Sequence, residues 1–591
     1  MTVKETLAFV LLLALHGCGG EALRPSPSPP VLATHPPQEP MTSSPASPSM
    51  VHAFDYPESR RVDQVDTIHG ITVADPYRWL EDSSSAEVRA WSAAEDKLAR
   101  SILSALPDRD ALAARFKELF YVESMGAPQR LGGRWFFPRR DAGKEKSTVY
   151  WREGRYGADK VLLDPNTWSS DGSMSLGVWS VSYDGQTVAY AVKGNNSDEA
   201  TLYVMDVATG RKREIDVIEG AKYAWPSWTP TGDGFYYTAL PPEGSVATSE
   251  RPGYAEVRFH KLGSDPKADR LVHERTGDPK TFLGAALSRD GRWLVVTVEH
   301  GWTSTDVYFQ DLSVAKPEWR PLVVGQDARY DVSVDRGRFF VLTNEGAPKS
   351  RVFRVDPSHP DRDRWTEIVP ERRDATLEAI SIVGHCLSLA YLKDVVSHIE
   401  IRDEDGRLTR TIALPGIGSA SALAGQPDDD LAYYSFQSFT YPTEIFETSV
   451  ATGKTTSFYK LNVPVDPSAY VVEQSFATSP DGTRVPFFTV RPKNATKGGG
   501  APTILYGYGG FQVAQAPFFS SSIFPWLEHG GMWVVANLRG GSEYGEAWHR
   551  QGMRREKQRV FDDYFAVAEE LVRQGYTRAD RLAAMGASNG G

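Results

Sequence analysis

Gly586-Ala587-Ser588-Asn589-Gly590 sets one serine between two glycines, each one residue removed from it. A serine hydroxyl is a weak nucleophile until its Oγ is held exposed beside a base and the oxyanion it creates meets fixed donors. The Gly-x-Ser-x-Gly spacing supplies that exposure. Small residues at 586 and 590 let a strand and a helix pack closely around a strained serine, and the N–H of the next residue, Asn589, points at the developing oxyanion. The chemistry this allows is acyl transfer through Ser588. The motif is short, and about 0.4 copies are expected by chance in a chain this rich in glycine. A plain glycine-rich turn is therefore the competing reading until the flanking elements are considered.

An elbow of this kind needs a buried strand before it and a helix after it. Arg581 to Met585 reads as the strand. Upstream, Thr503-Ile504-Leu505-Tyr506 and Met532-Trp533-Val534-Val535-Ala536-Asn537 are continuous apolar runs ending in glycine-rich loops, as buried parallel strands are. Between them and the elbow, Val560, Phe561, Tyr564, Phe565, Ala568, Leu571 and Val572 fall on one helical face, and Gly575 stands where a left-handed C-terminal cap is expected. Strand, helix, strand and tight turn is the order of an α/β-hydrolase domain, assigned here to residues 467–591.

Residues 127–466 follow a different pattern, short alternating runs punctuated by Asp-Gly and Thr-Gly turns, which predicts antiparallel sheet. Ser182-Tyr183-Asp184-Gly185 before Thr187-Val188-Ala189-Tyr190 recurs in outline at Asp233-Gly234-Phe235-Tyr236-Tyr237, at Ser288-Arg289-Asp290-Gly291-Arg292-Trp293, and more weakly at Asp335-Arg336-Gly337-Arg338. Gly185, Gly234, Gly291 and Gly337 are 46 to 57 residues apart. That period matches one four-stranded propeller blade, and about 340 residues hold roughly seven. An irregular β-sandwich array is the alternative.

The chain begins with a charged start, an apolar stretch from Leu7 to Leu15 and a Gly17-Cys18 junction, too short for a permanent membrane span. Residues 1–18 read as a secretory signal. Leu15-His16-Gly17-Cys18 resembles a bacterial lipobox, with His16 departing from the usual small residue, so lipidation at Cys18 is expected, an ordinary cleaved signal being the alternative. Residues 19–50 form a linker; 9 Pro and 6 Ser between Glu21 and Met50 favour extended, solvated chain. An exported protein is expected, periplasmic or membrane-anchored through the Cys18 lipid.

In the 591 residues the hydrophobic fraction is 41%, ample for a large core, and the net charge of −11 comes without any Lys/Arg-rich segment. Nucleic-acid binding is excluded on that ground. Two cysteines, Cys18 and Cys386, and no His-Glu-x-x-His helix argue against a metal centre, and no cofactor is expected.

Tyr56-Pro57, Arg60-Arg61, His69-Gly70 and Asp75-Pro76-Tyr77-Arg78-Trp79-Leu80-Glu81-Asp82 lie near the start. Tyr506-Gly507-Tyr508-Gly509-Gly510-Phe511 and Asn537-Leu538-Arg539-Gly540-Gly541-Ser542-Glu543-Tyr544-Gly545 follow the repeats, and Ser588-Asn589-Gly590-Gly591 closes the series. Together these stretches, from about residue 55 onward, resemble the signatures of the prolyl oligopeptidase family of serine peptidases. Asn589, where the related oligopeptidase B group usually carries alanine, and Gly510-Phe511 favour the prolyl branch. The resemblance implies a seven-bladed β-propeller capping an α/β-hydrolase domain whose first part, residues 51–126, precedes the propeller. It implies that Ser588 is the nucleophile, that the Asn589 N–H and the Tyr508 phenol are the oxyanion donors, and that Phe511 lines the substrate site. A phenol suits that task because it donates to a charged oxygen without ionising. Without the resemblance, Tyr508 reads as a packed core tyrosine. The implied partners are short proline-containing peptides, cleaved on the C-terminal side of proline through an acyl-enzyme by a monomer.

In α/β hydrolases the triad runs Ser, Asp, His along the chain, and only three residues follow Ser588. The expectation is an N-terminal portion of a peptidase, truncated after the elbow, lacking the triad Asp and His, inactive as given, and carrying exposed apolar edges. His529 and His549 read as loop-packing residues rather than substitutes. An esterase or acyl hydrolase of the same fold, and a non-catalytic exported peptide-binding propeller, are the alternative functions.

Overall fold

Each Ser-x-Asp-Gly repeat is a self-contained turn. Ser182 Oγ donates to Asp184 Oδ1 at 2.5 Å and accepts the Thr187 N–H at 3.0 Å, while Asp184 Oδ1 accepts the Gln186 N–H. Ser288, Asp290, Arg292 and Trp293 repeat the network. The computed structural model, which describes residues 54–591 except 196, 496, 497 and 499, corrects one copy. At Asp233-Gly234 the left-handed glycine is Gly232, with φ 70°, and Gly234 already lies in the strand Gly234–Ala239. A Cβ at Gly234 would stand 2.4 Å from His260 O, so this glycine is needed for close strand packing rather than for a turn.

Every one of these turns joins the first and second strands of a blade. Seven antiparallel sheets follow in chain order, spanning 124–163, 175–218, 227–273, 281–323, 330–369, 376–412 and 419–460. They are the blades of a seven-bladed propeller. Blades one and six escape the repeat pattern because their first turns use Gly132-Gly133 and Gly384-His385, whose positive φ angles do the same work without aspartate. Neighbouring blades pack through apolar side chains; Trp293, Phe309, Phe339 and Val355 interlock blades four and five. Blades seven and one meet instead through polar contacts. Trp135 Nε1 donates to the Tyr433 hydroxyl at 3.1 Å, Arg130 pairs with Asp429 at 2.6 Å, and Arg155 pairs with Glu447. Each blade is built from its own consecutive strands, so among the described residues no strand from one end of the propeller completes a sheet at the other.

Beyond the propeller, one sheet takes the order Tyr470–Thr478, Arg484–Pro492, Met532–Ala536, Thr503–Tyr506, Leu582–Met585. The last three strands are parallel. From Thr503–Tyr506 the chain moves first to one side, at Met532–Ala536, and then to the other, at Leu582–Met585. Strand order therefore reverses beside Tyr506. In open α/β sheets the crevice beyond the carboxyl ends of the strands at such a reversal is where ligands bind.

The helix Gln558–Arg573 lies between those crossings and ends as expected, with Gly575 at φ 74° and the Tyr576 N–H bonded to Leu571 O. Its buried stripe differs from the sequence reading. Val560, Asp563, Val567 and Leu571 face inward, while Phe561, Phe565 and Val572 are exposed. Asp563 is fully buried because Arg539 meets it with two guanidinium hydrogen bonds of 2.6 and 2.9 Å and its own N–H at 3.1 Å. A charge so paired can occupy a core position that periodicity assigns to solvent.

Residues 54–117 belong to a second compact unit, distinct from the one that holds residues 118–591. Its described part holds the hairpin Val65–Ile68 with Ile71–Ala74, turned by His69-Gly70 in left-handed conformation, and the helix Ala86–Ser104 capped by Ser85. Arg78 bonds Asp75 and Asp66, and Trp79 stands edge-on to Trp91 at 6.4 Å. Cys18 and the linker lie outside the described residues.

Candidate active site

The elbow forms at the reversal point of the sheet. Ser588 adopts φ 54°, a left-handed conformation disfavoured for a residue with a Cβ and held only where the surroundings dictate it. Both flanking glycines are sterically required. A Cβ at Gly586 would lie 2.0 Å from Gly590 O, and one at Gly590 would lie 2.3 Å from Gly507 O. The second clearance brings the elbow against the Tyr506-Gly507-Tyr508 loop, whose Gly507 N–H bonds Met585 O at 3.1 Å.

Tyr508 and Asn589 meet across this junction. Asn589 Nδ2 donates to Tyr508 O at 2.5 Å, and Gly510 leaves the room for it, since a Cβ there would stand 2.5 Å from the same nitrogen. The Asn589 backbone N–H belongs to the first turn of the short helix Ser588–Gly590, where amides have no intrahelical acceptor. Sequence reasoning missed Lys557, which precedes the helix Gln558–Arg573. Its Nζ donates to Gly509 O at 2.9 Å and to Asn589 Oδ1 at 3.1 Å, and burial lowers the pKa of the ammonium.

Phe511 remains 42% exposed and packs edge-on against Trp302 of blade four, ring centroids 5.3 Å apart. Phe511 and Gln512 both have positive φ, and the Gln512 amide anchors the strained turn by donating to Trp302 O at 3.0 Å and Glu546 Oε2 at 2.9 Å. Trp302 could not be read from sequence. It sits in a loop between the second and third strands of its blade; the same class of loop in blades five and six supplies Asn344 and Asp394 to the hydrolase residues Glu546 and Tyr544, and Gln437, the last residue of the strand Leu431–Gln437 in blade seven, accepts the Phe519 N–H.

No histidine or carboxylate bonds the Ser588 hydroxyl among the described residues. His529 Nδ1 is paired with Pro525 O and His549 Nδ1 with Gly540 O, each at 2.7 Å. Each ring is held to local backbone through Nδ1, and neither bonds Ser588.

Glu543, 1% exposed, is the strongly perturbed acid of the region. Burial pushes its carboxyl up to about 7, against hydrogen bonds from the Gln515 N–H and Asn537 Nδ2. Because folding raises this pKa, the stabilisation is fully present below the unfolded value near 4.5 and is lost as pH rises through about 7. The swing is on the order of 3 kcal/mol. Glu543→Gln keeps the accepting oxygen and removes the titration. Its urea midpoint is expected to exceed that of the parent near pH 8 and to match it near pH 5; equal pH dependence in both proteins would place the titration elsewhere.

A propeller joined to a mixed sheet whose parallel strands lead into a serine elbow defines a propeller-capped serine hydrolase. Residues 57–460 match the family described as prolyl oligopeptidase, N-terminal beta-propeller domain, and residues 517–591 match the prolyl oligopeptidase family. The chain belongs to the prolyl oligopeptidase family. It is 35% identical over 540 residues to the prolyl endopeptidase of Elizabethkingia meningoseptica, covering 91% of this chain and 76% of that protein. A solved structure from a study of two prolyl endopeptidases is 53% identical with a TM-score of 0.88, covering 91% of this chain and 79% of the other. Prolyl oligopeptidase B of Galerina marginata, solved with a 25mer macrocyclization substrate, is 28% identical with a TM-score of 0.84 over 91% and 79% of the two chains. Structures of that protein carry alanine in place of one aspartate, one histidine or one serine.

Proposed function

We propose that this protein is a serine peptidase that cleaves short peptides on the C-terminal side of proline. The observation that carries the reading is the strained Ser588 elbow seated against the Tyr508 loop where strand order reverses. Ser588 Oγ attacks the carbonyl of the proline residue and gives its proton to a base. The resulting oxyanion accepts hydrogen bonds from the Asn589 N–H and the Tyr508 phenol. Collapse expels the amine of the following residue with that proton, leaving a prolyl ester on Ser588, and water then releases the acid and restores the hydroxyl. Phe511, beside the Tyr508 loop and backed by Trp302, offers apolar surface to the proline ring. The propeller covers the hydrolase loops and admits short chains in preference to folded proteins.

A series of peptides differing only at the residue before the scissile bond tests the substrate. Cleavage after proline is expected to exceed that after alanine or arginine by at least about 10²-fold. Turnover of aryl esters with no peptide cleavage would favour the esterase reading instead. Residues 1–591 alone are expected to turn over negligibly, because among the described residues no base bonds Ser588. Activity is therefore measured on residues 1–591 and on the same residues continued by the C-terminal segment of the 53%-identical relative. Export with a lipid on Cys18 and a stand-off linker completes the proposal, supported by the apolar stretch, the Gly17-Cys18 junction and the Pro/Ser run. The mass of the mature N-terminus decides it, an unmodified terminus beyond Cys18 removing the lipid.

A further inference from the structure

Lys557 is a half-buried cation that forms no ion pair among the described residues. Its two acceptors are neutral, Gly509 O and Asn589 Oδ1, and they come from the two separate segments that meet at the serine. Partial burial already disfavours the ammonium, and a purely packing role would be met as well by an apolar side chain.

The bonds around it form a closed bracket. Lys557 must face Asn589 Oδ1, because an ammonium has only donors, and this leaves Nδ2 for Tyr508 O at 2.5 Å. The side chain of the residue after the nucleophile is thereby tied to the carbonyls of both Tyr508 and Gly509. Tyr508 carries the phenol and Asn589 the backbone N–H assigned above to the same oxyanion. A displacement of either by about 1 Å is enough to cost a large part of a preorganised hydrogen bond's value in the transition state.

We propose that Lys557 is a positioning residue of the oxyanion site, holding the Tyr508 loop and the Asn589 amide at a fixed separation through its bonds to Gly509 O and Asn589 Oδ1. The inference rests on the serine-peptidase reading. Lys557 touches no reacting atom and acts through Tyr508 and Asn589.

The test is a double-mutant cycle in the form of the protein that turns over. Lys557→Met is expected to lower kcat about 10- to 100-fold with KM nearly unchanged. In a Tyr508→Phe background the same change is expected to cost several-fold less than in the parent, because one of the two donors it positions is already gone and only the Asn589 N–H remains to be misplaced. Lys557→Gln, which keeps one donor, is expected to fall between Lys557→Met and the parent, and stands in for Lys557→Met if that variant does not fold. An equal loss in both backgrounds, a rise in KM alone, or unchanged kcat overturns the proposal. Ser588→Ala separates the two levels of the argument. If it retains turnover, the serine-peptidase reading fails; if it abolishes turnover while Lys557→Met costs nothing, only the positioning role fails.

Discussion

Ser588→Ala is expected to lower kcat for a proline-containing peptide by about 10⁴- to 10⁶-fold, to the level sustained by binding and the oxyanion donors alone. The structure gives the reason for expecting so large a loss from one oxygen. The backbone around Ser588 is strained at φ 54°, and the glycines on either side are packed to within 2.0 and 2.3 Å of neighbouring carbonyls for any added Cβ. The local architecture is built to present one side chain. Alanine keeps that backbone, so the fold is expected to survive, and circular dichroism should superimpose on the parent. A serine-directed phosphonate should add one phosphonyl group per active parent chain and none to the variant. Peptide cleavage persisting in Ser588→Ala would remove Ser588 from the chemistry and leave the elbow as a packing turn.

The second large effect is at Tyr508. Tyr508→Phe removes one hydroxyl and leaves the ring, so substrate binding should change little while the chemical step slows by about 10²- to 10³-fold, as for loss of one oxyanion donor. The expectation depends on the loop being held independently of the hydroxyl. Asn589 Nδ2 grips the Tyr508 carbonyl and Lys557 grips that of Gly509, both through backbone atoms that phenylalanine retains. A raised KM with unchanged kcat would instead make Tyr508 a binding or packing residue.

Much of the architecture was legible in short stretches of sequence, because those stretches close their own hydrogen bonds. Ser182 and Asp184 complete a turn within six residues, and the same pattern at Ser479-Pro480-Asp481-Gly482 turns a hairpin of the hydrolase sheet. The motif therefore marks a tight turn rather than a blade as such, and the period of recurrence carried the propeller reading. Blades whose turns use two left-handed residues without aspartate were silent to it. On the helix Gln558–Arg573, periodicity put Phe561 and Phe565 on the apolar face; in the structure they are exposed, and Asp563, which the periodicity did not single out, is buried.

That difference shows where local reading ends. The types and spacing of residues determined by themselves the serine elbow, the runs of parallel strand, the left-handed cap at Gly575 and the antiparallel repeats, since each depends on backbone sterics and on partners a few residues away. Tertiary structure alone decided that Arg539 buries Asp563, that Lys557 reaches Asn589 across 32 positions, and that Gln512 anchors to Trp302 across 210. Whether burying a charge is costly or tolerable depends on the presence of a compensating group within about 3 Å, and chain separation does not encode that distance. The same holds for Glu543, whose raised pKa comes from the loss of water around it when the sheet and propeller close over the loop.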